Sequence, residues 1–501
     1  MKKAYKELQP YLERAMAYQT ALVLFEWDNE TLAPKEAAPY TAKMQGAVSA
    51  AYQELMTDEK VKSLILQCEK EEGLSDAERA VVREAKEEME ELSCIPPEEY
   101  REFKELVSSS TGIWAKARKE KDFDAFAPTL EKIIGFQKRF ASYRAKDGQK
   151  LYDVMLDSYE KGFNMEKLDE FFHELKEELV PFLQKVMDSG VEINDGFLTG
   201  DYPEGKQREL AEYLAEYVGF DFSKGVLAVS AHPFTTNLHN HDVRITTHYG
   251  DAVDSSLFSV IHEAGHGIYE LGVDDALTQT FVGQGASMGM HESQSRFFEN
   301  IIGRNAAFWV PLYPKVQEIF PEQLGHVSME QFVEAVNKVQ PGLIRTEADE
   351  LSYSLHVLVR YELEKMLIEE DLDVKELPEL WADKYEEYLG VRPKDVSEGV
   401  LQDIHWSQGS FGYFPSYALG SAFGAQMLAH MRQKMDFEGL LRDGDIGTIR
   451  EYLREHIHRF GKIKTSRQLL MDMTGEDFNP AYYLDYLKEK YGKLYKINCN
   501  L

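Results

Sequence analysis

The chain has 501 residues, with 56 basic and 87 acidic side chains and a formal net charge of −31. A surface of that sign repels phosphate, so neither nucleic acid nor anionic lipid is expected as a partner. With 43% hydrophobic and 12% aromatic residues, the chain has the material for a large core and is not a disordered polymer.

At roughly 150 residues per domain, length alone suggests about three units. No repeat, low-complexity tract or Pro/Gly/Ser linker divides the chain, however, so a single body over residues 1–501 is expected. Cys68, Cys94 and Cys499 are widely spaced and form no CxxC pair, which fits a reducing, cytoplasmic setting better than a disulfide framework. The first twenty residues lack an unbroken apolar stretch, so no signal peptide is expected. No apolar run approaches the roughly 18 residues needed to span a bilayer.

Helical periodicity dominates. Thr41 to Leu55 reads as a helix, and Ser75 to Leu92 opens with a capping box formed by Ser75 and Glu78. Glu98 to Lys119 and Phe123 to Ala145 follow. From Met165 the apolar residues Leu168, Phe171, Phe172, Leu175, Leu179, Phe182, Leu183 and Val186 mark one helix face. Asn164 is its expected N-cap, and Pro181 should kink its later turns. The best strand is Asp242 to His248, rich in β-branched residues, with Leu227 to Val229 as a possible partner. Further helices are expected at Met329 to Val339, Ser352 to Glu370, Leu377 to Leu389, Ala418 to Met431 and Ile446 to His456. The fold class is therefore mostly α with a small β-sheet.

One segment carries chemistry: His262-Glu263-Ala-Gly-His266, within a run of helical periodicity. Residues i and i+4 share a helix face, so two imidazoles there can bind one zinc ion. Glu263, rotated by about 100°, comes beside the ion and can take a proton from a water that the ion has acidified. Gly265 and Gly267 weaken the helix, which implies close approach of backbone or substrate. A third ligand must come from a second element. Glu292 is the leading candidate, on a segment whose buried face is Phe297, Phe298, Ile301 and Ile302; His291 and Glu270 compete with it. Arg296 can pair with Glu292 or face solvent. A His/His/Glu set points to zinc hydrolysis rather than redox chemistry.

A second constellation runs from Gly399 to Tyr417, glycine-punctuated and aromatic, and contains His405, Trp406, Tyr413 and Tyr417. It reads as a loop entering a helix and able to offer donors to an oxyanion. Other features carry less. His239 and His241 fit a polar turn, Gly283 to Gly289 has the wrong spacing for a dinucleotide loop, and Ser255-Ser256 lacks a nucleophile elbow.

Six blocks occur in an order that resembles the carboxypeptidase Taq family of metallocarboxypeptidases. They are His232-Pro-Phe234, Asp242-Val-Arg244-Ile-Thr246, His262 to His266, His291-Glu292-Ser-Gln294, Ile344-Arg345-Thr-Glu-Ala348-Asp349 and Gly399 to Trp406. The resemblance implies a saddle-shaped helical body with a deep central groove, similar to neurolysin and angiotensin-converting enzyme, and a homodimer. It implies Zn2+, with Co2+ as a possible substitute, bound by His262, His266 and Glu292, and Glu263 as the catalytic residue. The implied activity is release of single C-terminal residues from peptides with broad preference. Residues expected to anchor the terminal carboxylate or the oxyanion are His405, Tyr413, Tyr417, Arg345 and Arg244, with His232 of the first block in the same substrate set. His405 and one tyrosine are expected near the zinc, and Arg345 at the groove's end.

Two rival functions stand beside this one. An endo-oligopeptidase would use the same zinc machinery. A helical scaffold with a vestigial motif is disfavoured, because His262, Glu263, His266 and Glu292 are all intact.

Overall fold

Side chains repeating every three and four residues dictate helices along most of the chain, and a computed structural model describing residues 2–498 shows them, together with one three-stranded sheet. Cys499 lies outside the described residues; Cys68 and Cys94 are free thiols. No helix among the described residues is long and apolar enough to cross a membrane.

Two compact units interleave along the sequence. The first comprises Met1–Ser93, Asn194–Val336 and Met427–Asp477; the second comprises Cys94–Ile193, Asn337–Gln426 and Phe478–Leu501.

In the first unit the strands are β1 (Gly225–Val229), β2 (Thr235–His239) and β3 (Asp242–Thr247), in the order β1-β3-β2. β1 runs parallel to β3, with Leu227 opposite Ile245 and Val229 opposite Thr247, as the apolar runs suggested. β2 pairs antiparallel with β3; its sequence, Thr-Thr-Asn-Leu-His, carries too little apolar alternation to be recognised without its neighbours. His239 ends this strand and leads into the turn at His241, as a polar turn should. Val243 and Ile245 are fully buried on β3, which packs against the helix Val253–Leu271.

Helix Lys3–Thr31 had no counterpart among the expected elements, although Leu8, Leu12 and Ala15, all buried, lie at helical spacing. The Ser75–Glu78 capping box forms as expected: the Ser75 N–H donates to Glu78 Oε2 at 2.7 Å, and the Glu78 N–H donates to Ser75 Oγ at 3.2 Å. The helix then runs from Asp76 to Cys94.

In the second unit, Asn164 caps the helix Met165–Met187 by accepting the Lys167 N–H, and Pro181 lies inside that helix without ending it. The helix expected from Phe123 begins only at Ala127, because Pro128 is tolerated in a first turn but not in an interior. Pro415 likewise opens the helix Pro415–Lys434, three residues before the expected start. In the first unit, Met329–Val336 stops three residues short, with Pro341 soon after.

Candidate metal centre and active site

The helix Val253–Leu271 is apolar on nearly every side, which places His262, Glu263 and His266 in the interior of the first unit. It lies against the helix Met288–Arg296, and Gly265 makes that contact possible, while Gly267 admits Phe220 on another side. A Cβ on Gly265 would lie 2.8 Å from Ser295 Cα and from the Gln294 carbonyl oxygen. A Cβ on Gly267 would lie 2.7 Å from the Phe220 ring. The close approach expected at these glycines is made by the protein itself. Ser287 caps the second helix by accepting the Met290 N–H, and a π-helical turn, Phe297–Ile302, follows it. All four apolar residues expected on its buried face are buried.

This packing brings ligand atoms of His262, His266 and Glu292 within 4.8 Å of one another. Glu292 Oε2 lies 3.8 Å from His262 Nε2 and 3.5 Å from His266 Nε2, so both imidazoles turn the same nitrogen toward one carboxylate oxygen. Two imidazole nitrogens and a carboxylate oxygen form a donor set that fits a divalent cation such as zinc.

The other nitrogen of each ring is also occupied. His262 Nδ1 is 2.8 Å from Glu299 Oε2, and a carboxylate can only accept, so the proton sits on Nδ1 and leaves Nε2 free. Burial would raise the Glu299 carboxyl, but Arg296 and His262 together hold it down at about 2. Glu292 is likewise held well below the carboxylate range against its burial, chiefly by Arg296, whose Nε donates to Oε1 at 2.7 Å. Arg296 therefore pairs with Glu292 rather than facing solvent. His266 is pushed down to about 3 by burial, which keeps its ring neutral.

Glu270 and His291, the competing ligand candidates, stand behind His266. His291 Nδ1 meets His266 Nδ1 at 2.5 Å, and His291 Nε2 meets Glu270 Oε1 at 2.7 Å.

Glu263 is only 6% exposed, and burial raises its carboxyl above the usual range. The Thr235 hydroxyl donates to its Oε2 at 2.6 Å. Of the other first-unit candidates, His232 is exposed and Arg244 makes two 2.8 Å bonds to Asp242, with its guanidinium 5.6 Å over the Trp27 ring.

The second unit gathers the downstream candidates. Asp403 is partly buried between two arginines: Arg345 Nε and Nη2 donate to Oδ1 at 3.0 and 2.9 Å, and Arg360 Nε donates to Oδ2 at 2.7 Å. One carboxylate against two guanidiniums leaves this trio with an excess positive charge. Arg345 lies 4.8 Å over the Tyr417 ring, and Tyr417 Oη is 3.1 Å from His405 Nε2. Burial and the neighbouring Arg345 push His405 down to about 4, so near neutrality it is an uncharged hydrogen-bonding group. Tyr413 packs edge-on against Tyr417 at 5.2 Å.

The sequence profile of the carboxypeptidase Taq (M32) metallopeptidases matches residues 7–491. The chain belongs to this family. It is 42% identical over 493 residues to carboxypeptidase 1 of Bacillus subtilis, covering 98% of each chain. It is 37% identical over 490 residues to thermostable carboxypeptidase 1 of Pyrococcus furiosus, covering 97% of this chain and 98% of the other. Its fold is similar to that of the M32 carboxypeptidase from Deinococcus radiodurans, with a TM-score of 0.95 at 34% identity, covering 98% of this chain and 99% of that one. Membership makes it a metallocarboxypeptidase, and nothing in these similarities favours the endo-oligopeptidase rival.

Several side chains that bond to these groups within each unit escaped the sequence reading. Thr235 and Asn237 belong to the unrecognised β2. Glu299 lies seven residues after Glu292, two helical turns on, a spacing that could have flagged it. Arg360 directly follows the apolar run Val357-Leu-Val359, where an arginine is itself a signal of buried ion pairing.

Proposed function

We propose that His262, His266 and Glu292 bind one Zn2+, for which Co2+ can substitute, and that Glu263 is the general base of a carboxypeptidase that removes single C-terminal residues with broad preference. The observation that carries this reading is the convergence of two imidazole Nε2 atoms on one Glu292 oxygen, with Glu263 buried alongside. A bound zinc ion supplies Lewis acidity, lowering the pKa of water and drawing electron density from a carbonyl.

Glu263 takes the proton of the attacking water and later delivers it to the leaving amine nitrogen. Its burial supports the shuttle, since a carboxyl raised above its usual range accepts and returns a proton more evenly. Thr235 holds the Oε2 oxygen in place. His405, Tyr413 and Tyr417 are assigned as hydrogen-bond donors to substrate. Arg345, with the excess charge of its trio, is assigned to the terminal carboxylate. His232 and Arg244 complete the substrate set. A homodimer and a cytoplasmic location follow from the family resemblance and the sparse cysteines.

Digesting an unblocked peptide and following it by mass spectrometry tests the reading. A ladder shortening by one residue from the C-terminus, abolished by chelator and restored by Zn2+, is expected. Internal fragments, or a ladder indifferent to chelator, would overturn it.

A further inference from the structure

Glu270 is 3% exposed, yet it is neither a member of the His262–His266–Glu292 cluster nor part of an ion pair with Lys or Arg. Its carboxylate collects three donors: His291 Nε2 and the Gly285 N–H on Oε1, at 2.7 and 3.0 Å, and Asn237 Nδ2 on Oε2. A group that accepts on both oxygens requires His291 to carry its proton on Nε2. In the neutral His291 ring, Nδ1 is then a lone pair. It faces His266 Nδ1 at 2.5 Å, and two lone pairs cannot meet at that distance, so His266 must donate from Nδ1. Its Nε2 is thereby left unprotonated, and Nε2 is the atom turned toward Glu292 Oε2.

We propose that Glu270, acting through His291, is a positioning residue that sets the tautomer of His266 and so presents its Nε2 lone pair to the divalent cation. The inference rests on the zinc reading above. It differs from the His262–Glu299 contact in passing through a second imidazole, which converts an acceptor at one end into an acceptor at the other. If the relay were cut, the His266 proton would have a competing place on Nε2, donated to Glu292 Oε2 3.5 Å away, where it would obstruct the cation.

Three variants separate proton direction from packing. Glu270→Met removes the acceptor at similar volume. His291→Phe keeps a ring against Tyr269, 5.2 Å away, but cannot accept from His266. Glu270→Gln should rescue. Its carbonyl can face His291 and Gly285 while its amide donates to Asn237 Oδ1, which is buried without a partner and gains one if the Asn237 amide turns over. Zn2+ affinity of the metal-free full-length protein, measured by competition with a chromogenic chelator, should weaken 10- to 100-fold in Glu270→Met and His291→Phe, and stay within about threefold of wild type in Glu270→Gln.

Unchanged affinity in Glu270→Met would overturn the relay, and so would Glu270→Gln binding as weakly as Glu270→Met. Nitrogen-15 spectra of histidine-labelled, metal-free wild type decide the matter independently of variant folding. The relay requires the proton of His266 on Nδ1, and a proton on Nε2 would overturn it. A wild type that binds no Zn2+ would instead refute the underlying metal reading.

Discussion

Gly265 and Ser295 meet backbone to backbone: the position of a Gly265 Cβ lies 2.8 Å from Ser295 Cα, inside any normal contact distance. This closeness allows the helix bearing His262 and His266 to lie against the one bearing Glu292. Helix propensity favours alanine over glycine by about 1 kcal/mol, so the local preference is set aside in favour of the tertiary contact.

Gly265→Ala should therefore destabilise the protein by about 1–3 kcal/mol, the usual range for overpacking, and weaken metal binding by moving Glu292. Gly46 provides the opposite case. It lies in the helix Ala38–Thr57 with nothing within 4 Å of its Cβ position, and Gly46→Ala should stabilise by about 0.5–1 kcal/mol. Urea denaturation of both variants checks the sign of each.

Replacing Glu263 with Gln should leave metal content at the wild-type level, because Glu263 is outside the ligand cluster. Loss of a general base should lower kcat/KM by on the order of 10²- to 10⁴-fold. Metal analysis beside peptide kinetics tests both halves, and a fully active Glu263→Gln enzyme would remove the assigned role.

Asp403 offers a test by pH. Burial opposes its charge, but Arg345 and Arg360 hold its carboxyl far below the usual range. A depressed folded-state pKa contributes stability above the unfolded value, about 3.9, and that contribution fades as pH falls below it. Asp403→Asn should cost about 3–5 kcal/mol near pH 7, because two buried guanidiniums lose their shared partner. The gap between variant and wild type in urea should narrow as pH drops below about 4. A gap that stays constant would show that Asp403 contributes by packing rather than by charge.

The net charge of −31 predicts a bias in association. A lysine-rich peptide should be cleaved with higher kcat/KM than a glutamate-rich one of equal length at low ionic strength. The ratio should collapse as salt shortens the screening length to below about 10 Å. Equal rates at low salt would count against it.

Much of this protein was legible before any fold was known. Leu377–Leu389 and Ile446–His456 have the expected bounds because uninterrupted periodicity and a capping Asp445 leave little ambiguity. The His262-Glu263-x-x-His266 spacing is local, so a single helix suffices to place both imidazoles. Glu292 could be ranked but not chosen over His291 and Glu270, since all three lie near the motif in sequence and differ only in where their helices turn them. Thr235 and Asn237 were out of reach, because β2 exists only through its pairing with β3.

Sequence by itself determined the helical class, the family and the pair of histidines, all of which depend on short-range spacing or on ordered blocks. Only the tertiary structure decided which carboxylate faces the two Nε2 atoms, which group backs each imidazole, and that Asp403 bridges Arg345 and Arg360. Those relations join residues tens of positions apart, and a hydrogen bond needs its partners within about 3 Å, a condition that chain spacing cannot specify.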